Sequence, residues 1–239
     1  MTSIRYFVVI PSSFSPKAAM STMVAYASVI CSLVLGALII DKGQCVLWIN
    51  GHNHPILDTF FKVITNLGDG LIFLPIILIL LFVQFRFALM AVMLMAGNAL
   101  MVSLFKRVLF YGLERPRTFL GENLLHFVPG VEVYGINSFP SGHTATAFSA
   151  ALFIAFLNGN KRIRILALFT AGLVAYSRMY LAQHFLIDVA GGAVIGTSVT
   201  YILWLVFKNI HNPKWMTMKL SLPQKSARTG SESATNHTA

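Results

Sequence analysis

Apolar residues in this chain fall into long runs, not into the alternation of a half-buried strand or the one-sided stripe of a soluble amphipathic helix. A window of about 19 residues, the length of helix that crosses a bilayer core, picks out residues 22–40, 57–85, 87–104, 145–157, 165–181 and 189–207. The pattern predicts an all-α protein, a polytopic bundle of six transmembrane helices. The span at 145–157 is short, and Phe139 and Pro140 lengthen it if they form its first turn, where proline is tolerated. Gly191, Gly192 and Gly196 fall in the last span and predict close packing against a neighbouring helix.

Composition places these spans in lipid. Charged residues make up 11% of the chain and hydrophobic ones 56%, with a mean hydropathy of +0.72. A soluble domain carries roughly 25% charged residues, so 239 residues of this make-up lack the polar surface to cover a globule. The formal charge is +10, but the basic residues lie between apolar spans and not on a polar domain. Their partner is therefore the bilayer, not nucleic acid.

Lysine and arginine sort by side of the predicted bundle. One side collects Arg5, Lys17, Arg86, Lys161, Arg162, Arg164 and every basic residue beyond residue 207; the other holds Lys42, Lys62, Lys106, Arg107, Arg115, Arg117 and Arg178. By the positive-inside rule the first side is cytoplasmic and carries both termini. Short loops fit a bacterial inner membrane, with the other side facing the periplasm. Residues 1–21 then form a cytoplasmic N-terminal segment and residues 22–207 the membrane domain. Residues 208–239 form a basic and then disordered tail, in which the Asn236-His237-Thr238 sequon would go unused. The first span has no small-residue cleavage site near Asp41 and is expected to remain as a helix. Cys31 and Cys45 imply no disulfide framework.

Candidate chemistry sits at the ends of the later spans. His184 and Asp188 are four residues apart, a spacing that puts both side chains on one helix face, where the carboxylate can hold one imidazole nitrogen and leave the other to attack. The plainer alternative is a solvated surface pair. Arg178 lies near the outer end of an otherwise apolar span, where a cation is costly unless paired or functional, and its guanidinium suits phosphate oxygens; the alternative is an arginine snorkelling to headgroups. In Pro140-Ser141-Gly142-His143, a hydroxyl and backbone N–H groups at a helix start can converge on an anion. His143 would stand beside that anion and protonate a leaving oxygen. Here the alternative is a capping serine next to a surface histidine.

These residues resemble the motifs of the type 2 phosphatidic acid phosphatase family, whose phosphate site is shared with the soluble vanadium haloperoxidases. Ser177-Arg178, five residues, His184, three residues and Asp188 match the third motif, and Pro140 to His143 match the second. The first motif departs from the pattern: eight residues separate Lys106 from Arg115-Pro116 where the family has six, and the formal lysine position is Val108. A bulge at Phe110-Tyr111-Gly112 would absorb the difference, with Arg107 or Arg117 as substitutes for the missing cation. The resemblance implies that His184 is the nucleophile, Asp188 its orienter and His143 the acid for the leaving alcohol. Lys106, Arg115, Ser141, Gly142 and Arg178 would bind phosphate.

The implied activity is metal-independent and cofactor-free hydrolysis of a lipid phosphomonoester or diphosphate at the outer face of the membrane, through a phosphohistidine. Phosphatidylglycerol phosphate, phosphatidate, a polyprenyl diphosphate and lipid A are all compatible, and neither the substrate nor the oligomeric state is written in the motifs. The competing readings are a lipid phosphotransferase using the same phosphohistidine and a non-enzymatic transporter. Transport would want ionisable groups at mid-membrane, where only Asp69 and Lys62 stand. Asp69, in Asn66-Leu67-Gly68-Asp69-Gly70, reads as a helix interruption, and His52 and His54 read as part of an interfacial loop with Trp48, not as metal ligands.

Overall fold

The computed structural model describes residues 16–210 and 213–221. Residues 1–15 and the tail beyond residue 221, with its Asn236-His237-Thr238 sequon, lie outside the described residues. The described residues are helical throughout, apart from loops and one isolated antiparallel bridge between Glu114 and Ile136. The helices are α1 (Pro16–Ile39), α2 (Gln44–Gly51), α3 (Pro55–Ile64), α4 (Phe73–Leu81), α5 (Phe85–Leu104), α6 (Pro116–Leu120), α7 (Gly142–Leu157), α8 (Lys161–Tyr180) and α9 (Leu186–Asn209).

By length and composition α1, α9 and α5 with its extension to Leu109 can each cross a membrane, and α3 and α4 make a fourth candidate if their bent pair counts as one span. Leu38 and Ile39 on α1 remain 73% and 79% exposed, an apolar surface suited to lipid. The chain is an integral membrane protein built of helices.

The single span expected over residues 57–85 is broken. Short 3₁₀ turns at Thr65–Gly68 and Gly70–Ile72 separate α3 from α4, which bend by 64°. Asp69 makes the break, its carboxylate accepting the Leu71 N–H at 2.9 Å as a cap for the second half. The break is also where this span meets the others: a Cβ on Gly68 would lie 2.7 Å from the His143 carbonyl and 2.6 Å from Val174. A second departure concerns Trp48, expected in an interfacial loop with His52 and His54, which lies instead in α2.

Two interior helices, α7 and α9, pack closely. A Cβ on Gly191 would come within 2.3 Å of Phe139, one on Gly192 within 2.4 Å of the Ser141 carbonyl, and one on Gly196 within 2.1 Å of the Ala145 carbonyl. The glycines of the last span therefore seat α9 directly on the start of α7, as their spacing predicts. Lower in the bundle a buried polar chain joins α5, α7 and α9: Asn98 donates to Ser149 Oγ at 2.8 Å, and Ser149 shares a 2.7 Å bond with Thr200.

Candidate active site

Chain direction brings the motif residues to one end of the bundle. α5 ends there, α7 and α9 begin there, and α8 ends there, so Lys106, Ser141 to His143, Arg178 and Asp188 come from four different elements to one level. Gly192 and Gly196 set the spacing by letting α9 touch the backbone of α7.

His184 lies in the turn between α8 and α9, not on a helix face as the four-residue spacing suggests. Its backbone N–H donates to the Arg178 carbonyl at 3.2 Å. Asp188 sits in the first turn of α9 and reaches back, accepting the Phe185 N–H at 2.9 Å and facing His184 Nδ1 at 3.4 Å with the same oxygen. The pair is thus made by a helix N-terminus folding back on its preceding loop, and both residues are 2% exposed. Ser138 completes the arrangement by donating to Asp188 Oδ2 at 2.5 Å. The main chain ties the motifs together as well, Ser141 N–H donating to the Asp188 carbonyl at 2.9 Å.

Cations surround this imidazole. Burial first, and then the charges of Arg115, Lys106, Arg178 and His143, hold His184 well below the ordinary histidine range. The ring is accordingly a neutral base near pH 7. Arg178 donates through one terminal nitrogen to Thr65 Oγ1 at 2.7 Å, while its Nε is buried without a hydrogen-bond partner. Arg115 is fixed by the Ile136 carbonyl at 3.0 Å and the Gln183 side chain at 3.0 Å. Gln183 in turn donates to the Glu132 carbonyl at 2.8 Å.

The irregular first motif is accommodated in two places. A π-helical turn over Phe105–Leu109 carries Lys106, and the chain then bends through Phe110 to Gly112, whose φ of 79° is left-handed. Asn137 holds the Gly112 N–H at 3.0 Å. Lys106 is half-buried with its charge bearing on His184, whereas Arg107 and Val108 are exposed. Arg117 turns away to Glu122, forming an ion pair at 2.5 Å. Gly112 marks the expected bend, and the π turn is the part the sequence did not announce.

Ser141 caps α7, its hydroxyl accepting from Thr144 N–H at 3.4 Å and Thr144 Oγ1 at 2.9 Å, and it is fully buried. Gly142 and His143 are half-buried. With Lys106 they are the site members that retain some exposure. A Cβ on Gly142 would meet only Val102, at an ordinary 3.4 Å.

Thr65, Ser138 and Gln183 carry no sequence signal of a role at the site. Each holds a motif residue from a distant point in the chain, and no local pattern distinguishes them from other polar residues. His52 and His54 are occupied locally, the first with the Trp48 carbonyl at 2.6 Å and the second as the cap of α3. Asp58 near them bonds His126 at 2.9 Å and Tyr180 at 2.5 Å, fastening the loop after α6 to α3 and α8.

An integral membrane protein that gathers an imidazole, a carboxylate and several cations where its helices end has the make-up of a phosphoryl-transfer enzyme. The family model described as the PAP2 superfamily matches residues 70–212. Lipid A 4'-phosphatase of Porphyromonas gingivalis is 31% identical over 170 residues, covering 67% of this chain and 70% of the relative. The crystal structure of Aquifex aeolicus LpxE matches with a TM-score of 0.60 at 28% identity, over 69% of this chain and 94% of that one. A PAP2-type phosphatidylglycerolphosphate phosphatase from Bacillus subtilis has the same fold, with a TM-score of 0.57 at 23% identity, over 81% of this chain and 97% of that one. The chain belongs to the PAP2 superfamily, the type 2 phosphatidic acid phosphatases that its second and third motifs resemble, and it is an enzyme of that phosphatase class.

Proposed function

We propose that this protein hydrolyses a phosphomonoester or diphosphate on a membrane lipid by way of a phosphohistidine at His184. The observation that carries the reading is the convergence of Lys106, Arg115 and Arg178 on the buried imidazole of His184, which Asp188 backs. Asp188 holds Nδ1, which directs Nε2 to the phosphorus atom. The phosphoryl oxygens lie against the three cations, against the backbone at Ser141 and Gly142, and against the buried Arg178 Nε, which gains the partner it lacks. An orphaned buried donor costs about 1–3 kcal/mol, so the site is better satisfied with an anion than without one.

In the first step the His184 Nε2 lone pair forms a bond to phosphorus as the P–O bond to the lipid breaks, and His143 gives a proton to the departing alkoxide or phosphate. In the second, water attacks the phosphohistidine, gives a proton to His143 and restores the His184 base. Fixed cations aimed at the equatorial oxygens supply most of the stabilisation. These residues need no metal ion for either step.

The site end of the bundle faces the outside of a bacterial inner membrane in this reading, because Arg86, Lys161, Arg162, Arg164 and Lys208 all start or finish helices at the other end. Six membrane passages follow if α1, the bent α3 and α4 pair, α5, α7, α8 and α9 each cross once. The lipid reaches the site from the bilayer with its tails still in the membrane. The relative named for lipid A favours the lipid A phosphates as the first substrate to test.

The test is phosphate release from lipid A, phosphatidylglycerol phosphate, phosphatidate and polyprenyl diphosphate by purified wild type and His184→Ala, with EDTA present. Release that requires His184 and survives chelation supports the reading. Release by the variant, or loss with EDTA, contradicts it. Transfer to an added alcohol without free phosphate would favour the phosphotransferase.

A further inference from the structure

A sizeable cavity among the described residues lies away from this chemistry. It has a volume of about 590 Å³ and is walled by α1, α5, α9 and one residue of α7, with Pro16, Met20, Phe87 and Trp204 among its apolar lining. Arg86 and Lys208 complete it. Both belong to helix ends remote from the site: Lys208 lies 20 residues along α9 from Asp188, and Arg86 lies 20 residues before Lys106. At 1.5 Å per residue that is about 30 Å, one hydrocarbon thickness, so the cavity opens at the opposite membrane surface.

We infer that this cavity is a binding site for a diacyl phospholipid with an anionic headgroup, seated in the leaflet opposite the catalytic site. Its apolar wall takes the acyl chains, and Arg86 and Lys208 take the phosphate. Arg86 already spends one terminal nitrogen on the Phe207 carbonyl, which anchors its guanidinium at the rim. Charge decides between this occupant and the chain's own N-terminal segment. Residues 1–15 lead into Pro16 and carry apolar side chains, but they hold Arg5 and no acidic residue. A pair of cations in a membrane surface layer selects an anion, each contributing roughly 1 kcal/mol of attraction, about fivefold in affinity. The proposal is independent of the reaction at His184, because a phosphodiester lipid offers no phosphomonoester to hydrolyse.

Native mass spectrometry of the full chain in detergent tests it, with phosphatidylglycerol and phosphatidylcholine of identical acyl chains as probes. Wild type is expected to retain one phosphatidylglycerol more tightly than phosphatidylcholine. Lys208→Gln should weaken that adduct about fivefold, and Met20→Trp, which fills the wall, should remove it, while both variants keep wild-type phosphatase turnover. Equal retention of the two lipids, or a Lys208→Gln protein that binds like wild type, overturns the inference. So does an adduct that appears only when residues 1–15 are deleted, since that result would give the cavity to the chain itself.

Discussion

Ser138 donates its hydroxyl to Asp188 Oδ2 at 2.5 Å, using the same oxygen that faces His184 Nδ1. The serine comes from the loop before α7 and the aspartate from α9, so the orientation of the imidazole depends on two segments 50 residues apart. Ser138→Ala removes a hydrogen bond to a charged group, a kind that contributes about 1.5–3 kcal/mol. If that support acts through the position of His184, kcat should fall roughly 10- to 100-fold with little change in KM. Steady-state kinetics on a short-chain lipid phosphate checks this, and Ser138→Thr should recover part of the rate.

Thr65 stands in the break between α3 and α4 and accepts one nitrogen of Arg178. Thr65→Val keeps the shape and leaves a second guanidinium nitrogen unsatisfied. The expected outcome is a tenfold or larger loss in kcat/KM, about 1.4 kcal/mol, with Thr65→Ser close to wild type. An unchanged Thr65→Val enzyme would show that Arg178 is positioned by other contacts.

The depressed His184 basicity carries a sign that can be measured. Below the ordinary histidine value of about 6.5, the unfolded chain binds a proton at this residue and the native protein does not. Stability contributed by the neutral ring is therefore present above that pH and is lost as pH falls toward the native value. His184→Gln should show a shallower fall in melting temperature between neutral and acid pH than wild type. In kcat/KM, the acid limb due to His184 should lie below pH 6.5 once the substrate's second ionisation, near pH 6, is accounted for.

Two glycines near the site predict opposite failures. A Cβ on Gly196 would meet the Ala145 carbonyl at 2.1 Å, while one on Gly142 would meet only Val102 at 3.4 Å. Gly196→Ala should separate α9 from α7 and yield aggregated or poorly melting protein on size exclusion. Gly142→Ala should fold normally and lose activity, because its added methyl group would stand in the proposed seat of the phosphoryl oxygens. A fully active Gly142→Ala protein would remove this backbone from the phosphate cradle.

Much of this arrangement is legible in the residues themselves. Long apolar runs announce membrane helices because lipid demands them, and Gly191, Gly192 and Gly196 announce the close α7–α9 contact because only glycine permits it. Arg178 stands out because a cation is costly at the end of an apolar span, His184 and Asp188 because of their spacing, and His143 because it follows a serine and glycine at a helix start. The geometry of the His184–Asp188 pair was not legible as a helix face, since the four-residue spacing turns out to span a loop and the first turn of α9. The π turn that presents Lys106 leaves no composition signal, and Thr65, Ser138 and Gln183 act only through contacts 113, 50 and 68 residues away. The break at Asp69 was visible as a polar interruption; that it braces His143 was not, because that contact belongs to the fold alone.

A covalent intermediate on His184 can be trapped by rapid acid-free quenching of wild type with lipid phosphate labelled in its terminal phosphoryl group. The expected result is a protein-bound label that is stable to base and labile to acid, maps to the peptide containing His184, and is absent from His184→Ala. Label found on another residue, or steady turnover by His184→Ala, would contradict it.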